Sequence, residues 1–225
     1  MTGISLLSIT NRPKHATWLR WNQQRLRTNL EAHGHDVQVH TIMDTKNRTV
    51  GALRNAAMEH AEHEWMAWVD DDDWYRPDRF EYLFERAVVY DESAPAFYHV
   101  PWVAHTHCHM WAIQKNATSP RLVQLPINGC AIYKTALART IPYDEARKPA
   151  SDVRWLRKLQ TAYPQGKLLV DTSFHTLLGL HGVNYGNKTQ VAGCRAPMSR
   201  VEAAVGLELW GDSAAQMEAF RKVVA

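Results

Sequence analysis

Cysteine is scarce and scattered: Cys108, Cys130 and Cys194 are the three in 225 residues, and no CxxC spacing joins them. An odd, dispersed set argues against a disulfide framework and fits a reducing compartment. Long apolar runs are also missing. Nothing approaches the roughly 18 consecutive apolar residues that a membrane span needs. The stretch from Met1 to Ile9 lacks a basic leader and reads as a first strand, so no signal peptide is expected and the setting is expected to be cytoplasmic, with a peripheral place at a membrane left open. Glycine is absent where the familiar cofactor loops would need it. No GxGxxG follows the first apolar segment and no GxxxxGK[ST] occurs anywhere, which counts against a dinucleotide-binding Rossmann domain and a P-loop NTPase. Repeats, low-complexity segments and Pro/Gly-rich linkers are lacking too, so one domain over 1–225 is the economical reading. A strong charge of either sign is missing as well. The net +3 gives only a weak lean towards anionic partners.

Tryptophan, by contrast, is abundant, with nine in the chain. Most are expected in the core, with one or two left as stacking platforms for a sugar or a base. Ile4 to Ile9 is a continuous apolar strand ending in the polar loop Thr10-Asn11-Arg12-Pro13. From about His15 to His33, Trp18, Leu19, Leu26 and Leu30 recur at near-helical spacing, and Gly34 stops the run. Val37 to Met43 reads as a second strand with Asp44 at its tip. A helix through Leu53, Ala56, Ala57 and Ala61 leads to Trp65-Met66-Ala67-Trp68-Val69, whose aromatic and β-branched residues suit a buried strand. The order β-α-β-α-β implies a parallel sheet with right-handed crossovers. Beyond it the pattern predicts a helix from about Pro77, strands over 96–100, 103–113, 128–134 and 167–171, and helices over 151–159 and 199–224.

Four consecutive acids, Asp70 to Asp73, follow the third strand. Such a run repels itself unless water or a cation offsets the charge. Two readings are open on local grounds. One is a solvated turn capping the helix that begins near Pro77. The other is a divalent-metal site, because hard cations such as Mg²⁺ or Mn²⁺ take carboxylate oxygens and leave room for phosphates. In open α/β sheets ligands bind beyond the carboxyl ends of the strands. Asn11-Arg12, Asp44 and the acid run are therefore expected at one edge.

The residues Asn11, Asp44, Arg54-Asn55 within Gly51-Ala52-Leu53-Arg54-Asn55-Ala56-Ala57, and the acids followed by Trp74-Tyr75-Arg76-Pro77-Asp78-Arg79 resemble family 2 glycosyltransferases of the GT-A fold. Later segments match in the same order. Asn128-Gly129-Cys130 is similar to the acceptor-side segment, Asp152 with Trp155-Leu156-Arg157 to the catalytic-base helix, and His181-Gly182-Val183-Asn184-Tyr185-Gly186-Asn187 to the HGxNxxN element.

The resemblance implies an α/β GT-A fold, a Rossmann-like, mainly parallel sheet flanked by helices with a mixed C-terminal half. It divides the chain into a nucleotide-sugar half (about 1–95), an acceptor and catalytic half (about 96–198) and a helical tail (about 199–225). It implies that Asp44 and the loop at Asn11 bind the nucleotide base, with Arg54 nearby. Asp70 and Asp72 look like the D-x-D acids that hold the metal, Asp72 the first ligand and Asp70 the second, with Asp71 near the ribose or sugar and Asp73 a helix-capping acid. His181 would be a further metal ligand, and Asn184, Asn187 and Lys188 would lie near the diphosphate. Asp152 would be the base.

The chemistry agrees with that picture. A leaving nucleoside diphosphate needs its charge offset, and a carboxylate-held Mn²⁺ or Mg²⁺ provides this. The acceptor hydroxyl needs a carboxylate to take its proton. A single base opposite the leaving group implies inversion, with a nucleotide-sugar, most simply a UDP-sugar, as donor. The acceptor is left open among a glycan, a lipid, a protein and a modified nucleic-acid base. Locally, Asp152 one residue after Ser151 also suits a helix N-terminus without catalysis. His105, His107 and His109 alternate and would share one face of a strand, read here as a polar lining of the acceptor cleft more than as a zinc site. Two rivals stand beside the transferase. A nucleotidyltransferase is disfavoured by the glycine-free loop after the first strand, and a non-catalytic nucleotide-binding module by the intact acid, base and histidine set.

Overall fold

The apolar run at the N-terminus forms strand β1 (Gly3–Thr10), and the larger sheet is built around it. In this computed structural model the described residues are 2–45, 48–71, 73–75, 77–81, 83–84, 103–106, 108–112, 121–125, 131–146, 151–162, 168–171 and 176–177. The further strands are β2 (Asp36–Met43), β3 (Trp65–Trp68), β4 (Trp74–Tyr75), β5 (Val103–Thr106), β6 (Cys108–Ala112), β7 (Arg121–Leu125), β8 (Ala131–Lys134), β9 (Leu168–Asp171) and β10 (Thr176–Leu177). Helices with both ends described are α1 (Ala16–Ala32), α2 (Val50–Glu59), α3 (Thr135–Thr140) and α4 (Ser151–Ala162), and residues 79–81 and 83–84 are helical too, where a helix from about Pro77 is expected.

Among the described residues, six strands make one sheet in the order β2-β1-β3-β8-β5-β9, and four make a second in the order β4-β10-β6-β7. β1 pairs in parallel with β2 and β3, β8 lies antiparallel between β3 and β5, and β9 runs parallel to β5. This is a mainly parallel open sheet with one reversed strand, as the resemblance implies.

Strand alternation sends side chains to both faces. Ile4, Leu6, Trp65 and Ala67 pack with Leu19, Leu26 and Leu30 of α1. Leu7, Met66 and Trp68 pack on the opposite face with Ala57 and Met58 of α2 and with Trp155, Leu156 and Leu159 of α4. Burial on both faces is why β1 and β3 read as unbroken apolar runs. Helix α1 ends at Gly34, whose φ of +81° is the left-handed conformation that favours glycine. There the N–H groups of Gly34 and His35 return to the carbonyls of Glu31 and Leu30, both at 3.0 Å.

The first three strands and two helices match the sequence expectation to within a residue or two. The strand expected over 103–113 is instead two strands in different sheets: β5 pairs with β8 and β9, and β6 with β7 and β10. His105 therefore lies on β5 and His109 on β6, so the shared strand face is lost; His107 lies outside the described residues. The short elements β4, β7, β10 and α3 are additions. The strand over 96–100 and the helix over 199–224 fall outside the described residues.

Candidate active site

The carboxyl ends of β1, β2 and β3 meet as the topology requires. The Asp44 N–H donates to the Thr10 carbonyl (2.8 Å) and the Val69 N–H to the Leu7 carbonyl (2.9 Å). From Val69 onward the acid turn is held from several sides. Ser8 Oγ donates to the Val69 carbonyl at 2.7 Å, and His15 Nδ1 to the Asp71 carbonyl at 3.0 Å. Trp18 Nε1 and Asn22 Nδ2, one helical turn apart on α1, both donate to the Asp73 carbonyl at 3.0 Å. The Asp70 N–H donates to the Tyr75 hydroxyl oxygen at 2.8 Å. Helix α1 thus has a buried polar stripe because it carries the turn that bears the acids.

Those acids are not equivalent. Asp71 is only 3% exposed, and its carboxylate accepts from Thr10 Oγ1 and from Nε and Nη2 of Arg12. Asp73 is buried and accepts from the Tyr75 hydroxyl at 3.3 Å. Burial first, then Asp73 and Asp70, push the Tyr75 hydroxyl well above its ordinary range, with Arg79 opposing, so it stays protonated as a donor. Asp70 alone among these three keeps a quarter of its side chain exposed. Asp72 lies outside the described residues. Asp44 is buried at the neighbouring strand tip and accepts from the Arg48 backbone N–H (2.8 Å) and Nε (3.3 Å). Asn11 is exposed in the adjoining loop.

Arg54 joins the two halves of the site. It projects from α2, which starts at the N-cap Thr49, whose hydroxyl accepts from the Ala52 N–H. Its Nη1 lies 2.9 Å from Asp152 Oδ1 and its Nη2 3.5 Å from Asp70 Oδ1. The guanidinium sits 5.3 Å from the Trp68 ring centre and 5.4 Å from that of Tyr143. Burial would lower its pKa, but Asp152, Tyr143 and Asp70 outweigh that and raise it, so the charge is permanent. Tyr143 stacks on Trp155 at 4.7 Å, one turn along α4 from Asp152. The loop bearing Tyr143 is clamped by Asn55, which accepts from the Tyr143 N–H (2.7 Å) and donates to its carbonyl (3.1 Å).

Among the residues proposed from sequence, Asp44, Asp70, Asp71, Arg54 and Asp152 gather at this edge. His181, Asn184, Asn187 and Lys188, with Asn128 to Cys130 of the acceptor-side segment, lie outside the described residues. Sequence reasoning missed Arg12 as the partner of Asp71, and Tyr143 and Asn55 as the frame around Arg54. Arg12 was visible in the loop after β1, whereas nothing local marks Tyr143.

A divalent cation fits the chemistry of this edge. The carboxylates of Asp44, Asp70, Asp71 and Asp152 are each met by a guanidinium of Arg12, Arg48 or Arg54, so these arginines are already engaged by the chain's own acids and the charge of a bound diphosphate would call for a further cation. Asp70 supplies the hard oxygen donor that Mg²⁺ and Mn²⁺ favour. No three His, Cys, Asp or Glu side chains form a cation cage among the described residues. The remaining ligands would have to come from elsewhere in the chain and from the diphosphate.

The sheet order, the acids at the strand tips and the helix that begins next to Asp152 define a GT-A glycosyltransferase architecture. The model for Glycosyl transferase family 2 matches residues 23–141, just over half of the chain, and the chain belongs to that family. No curated protein matches it in sequence. Among solved structures, the catalytic domain of Drosophila β1,4-galactosyltransferase 7, in complex with xylobiose, is 10% identical with a TM-score of 0.52, over 77% of this chain and 66% of that one. S. aureus TarS 1–349 in complex with UDP is 17% identical with a TM-score of 0.49, over 79% of this chain; the chain spans 60% of that fragment's length.

Proposed function

We propose that this chain is an inverting, divalent-metal-dependent glycosyltransferase that moves a sugar from a UDP-sugar to an acceptor hydroxyl. One observation carries the reading: the candidate base Asp152 and the strand-tip acid Asp70 lie 2.9 and 3.5 Å from the two terminal nitrogens of a single guanidinium, that of Arg54. That proximity supports reading Asp152 as a proton acceptor beside the edge where a diphosphate would leave.

In this reading Asp44 and the Asn11 loop take the nucleotide base, and Asp71, fixed by Arg12, borders the ribose. Asp70, Asp72 and His181 hold Mn²⁺ or Mg²⁺, with Asn184, Asn187 and Lys188 beside the diphosphate. When bound, the cation offsets the charge that develops on the departing diphosphate. Asp152 holds the acceptor hydroxyl and takes its proton as the acceptor oxygen bonds to the anomeric carbon. The bond from that carbon to the diphosphate oxygen breaks on the opposite face, releasing UDP and inverting the centre.

The reading treats 1–225 as one GT-A domain with its acceptor a glycan, lipid, protein or modified nucleic-acid base. The dispersed cysteines support a cytoplasmic setting. No helix among the described residues is long and apolar enough to cross a membrane.

A transfer and donor-hydrolysis screen with Mn²⁺ and a panel of nucleotide-sugars tests this, using wild type, Asp72→Ala and Asp152→Asn. Transfer should fall by about 10²–10⁴-fold in Asp152→Asn with UDP binding retained. A folded wild type that turns over no donor would sink the enzyme reading. Transfer unaffected by Asp152→Asn would remove the base assignment alone.

A further inference from the structure

We infer that Arg54 is a positioning residue for the catalytic base, holding the Asp152 carboxylate at a fixed span from Asp70, and is not a contact for the nucleotide. The inference rests on the proposed role of Asp152. Arg54 is 5% exposed, and its two terminal nitrogens face carboxylates of the chain itself, at 2.9 Å for Asp152 and 3.5 Å for Asp70. A nucleotide would have to displace one of these carboxylates to reach it.

The surroundings fix the guanidinium independently of any ligand. Trp68 and Tyr143 lie against it at 5.3 and 5.4 Å, Tyr143 is stacked on Trp155, and Asn55 pins the Tyr143 backbone. The residue next along α2 therefore secures the wall that Arg54 leans on.

Stability alone does not account for this arrangement. The Nε and Nη1 of Arg54 are both buried without an aligned hydrogen bond, so Nη1 meets Asp152 as an ion pair; this costs stability, and buried ion pairs are weak stabilisers. What a planar fork does provide is a two-point bridge. A lysine ammonium is one point charge and cannot set the separation of two carboxylates in the same way. With the bridge in place, Asp152 stays at the first turn of α4, facing the strand-tip acid. Without it, two like charges repel across the position where the acceptor must sit.

The test compares wild type, Arg54→Lys, Arg54→Gln, Asp152→Asn and the Arg54→Gln/Asp152→Asn double variant. UDP affinity is measured by calorimetry with Mn²⁺, and transfer by steady-state kinetics. A base displaced by about 1 Å costs on the order of 100-fold, so Arg54→Gln should lower kcat by about that factor while the UDP Kd stays within about threefold. Arg54→Lys should lie between it and wild type. The double variant should be no slower than Asp152→Asn, because Arg54 acts through that carboxylate. If Arg54→Gln does not fold, the kcat loss at unchanged Kd in Arg54→Lys carries the test. A UDP Kd weakened about tenfold with kcat retained would make Arg54 a nucleotide contact and overturn the inference. So would a double variant in which the two losses multiply. A wild type inactive with every donor overturns the proposed function and this inference with it, whereas an active wild type isolates the role of Arg54.

Discussion

Arg12 and Asp71 show how one pair of side chains fixes the floor of the site. The acid is buried and the cation partly exposed, at 3% and 24% of their side chains. Removing the cation therefore leaves a buried carboxylate stranded, whereas neutralising the acid leaves an arginine that turns to water. Arg12→Ala should destabilise by about 3–5 kcal/mol, and Asp71→Asn by only about 1–2, since its amide oxygen still accepts from Thr10. Urea midpoints of the two variants check this; an Asp71→Asn protein less stable than Arg12→Ala would contradict the assignment of burial to the acid. At this scale the sequence shows which residue types carry charge and hides which ones meet. Asp44, Asp70 and Asp152 could be singled out by type and position. The pairing of Asp71 with a residue 59 positions away depends on β1 and β3 lying side by side.

Helix α2 is the element that ties the β1–β3 part of the sheet to α4 through Arg54 and Asp152. At its start, Gly51 packs so closely on the loop after α3 that a Cβ there would collide with the Asp144 carbonyl oxygen. At its end, Arg139 of α3 donates to the carbonyls of Met58 (3.0 Å), Glu59 (3.1 Å) and Ala61 (2.6 Å), capping α2 from outside. Gly51→Ala should push the 143–145 loop off α2 and loosen Tyr143. We expect a loss of about 1–3 kcal/mol, as for overpacking, together with a lower kcat. Unchanged stability and kcat would show that the loop moves without consequence. The larger elements were readable because their apolar periodicity spans whole turns or whole strands. β4 and β10 have two residues each, and α3 has six, so their form comes from their neighbours. The division of the stretch 103–112 between two sheets is likewise a tertiary choice, since an alternating run fits either partner.

At the scale of the whole molecule, the buried phenols Tyr75 and Tyr143 sit on opposite faces of the larger sheet. Tyr75 packs in the cluster under α1, and Tyr143 in the cluster between α2 and α4. Burial raises both pKa values. For Tyr75, Asp73 and Asp70 add to the rise while Arg79 opposes it; for Tyr143, Arg54 opposes while Asp152 and Asp70 add. The sign of the consequence follows from linkage. Above the ordinary tyrosine pKa of 10.0 the unfolded chain releases these protons, whereas the folded chain keeps them. The folded state then binds more protons, so its stability is fully present below pH 10.0 and is lost as pH rises beyond it. Each tyrosine contributes a slope of about 1.4 kcal/mol per pH unit in that window. Lysines titrate there as well, so the comparison that isolates the effect is wild type against Tyr143→Phe. In urea titrations from pH 8 to about pH 11.5, the variant's loss of stability above pH 10 should be shallower by roughly 1.4 kcal/mol per pH unit. Parallel curves would mean that the Tyr143 hydroxyl ionises in place. Arg54 would then be holding a phenolate besides the carboxylates of Asp152 and Asp70.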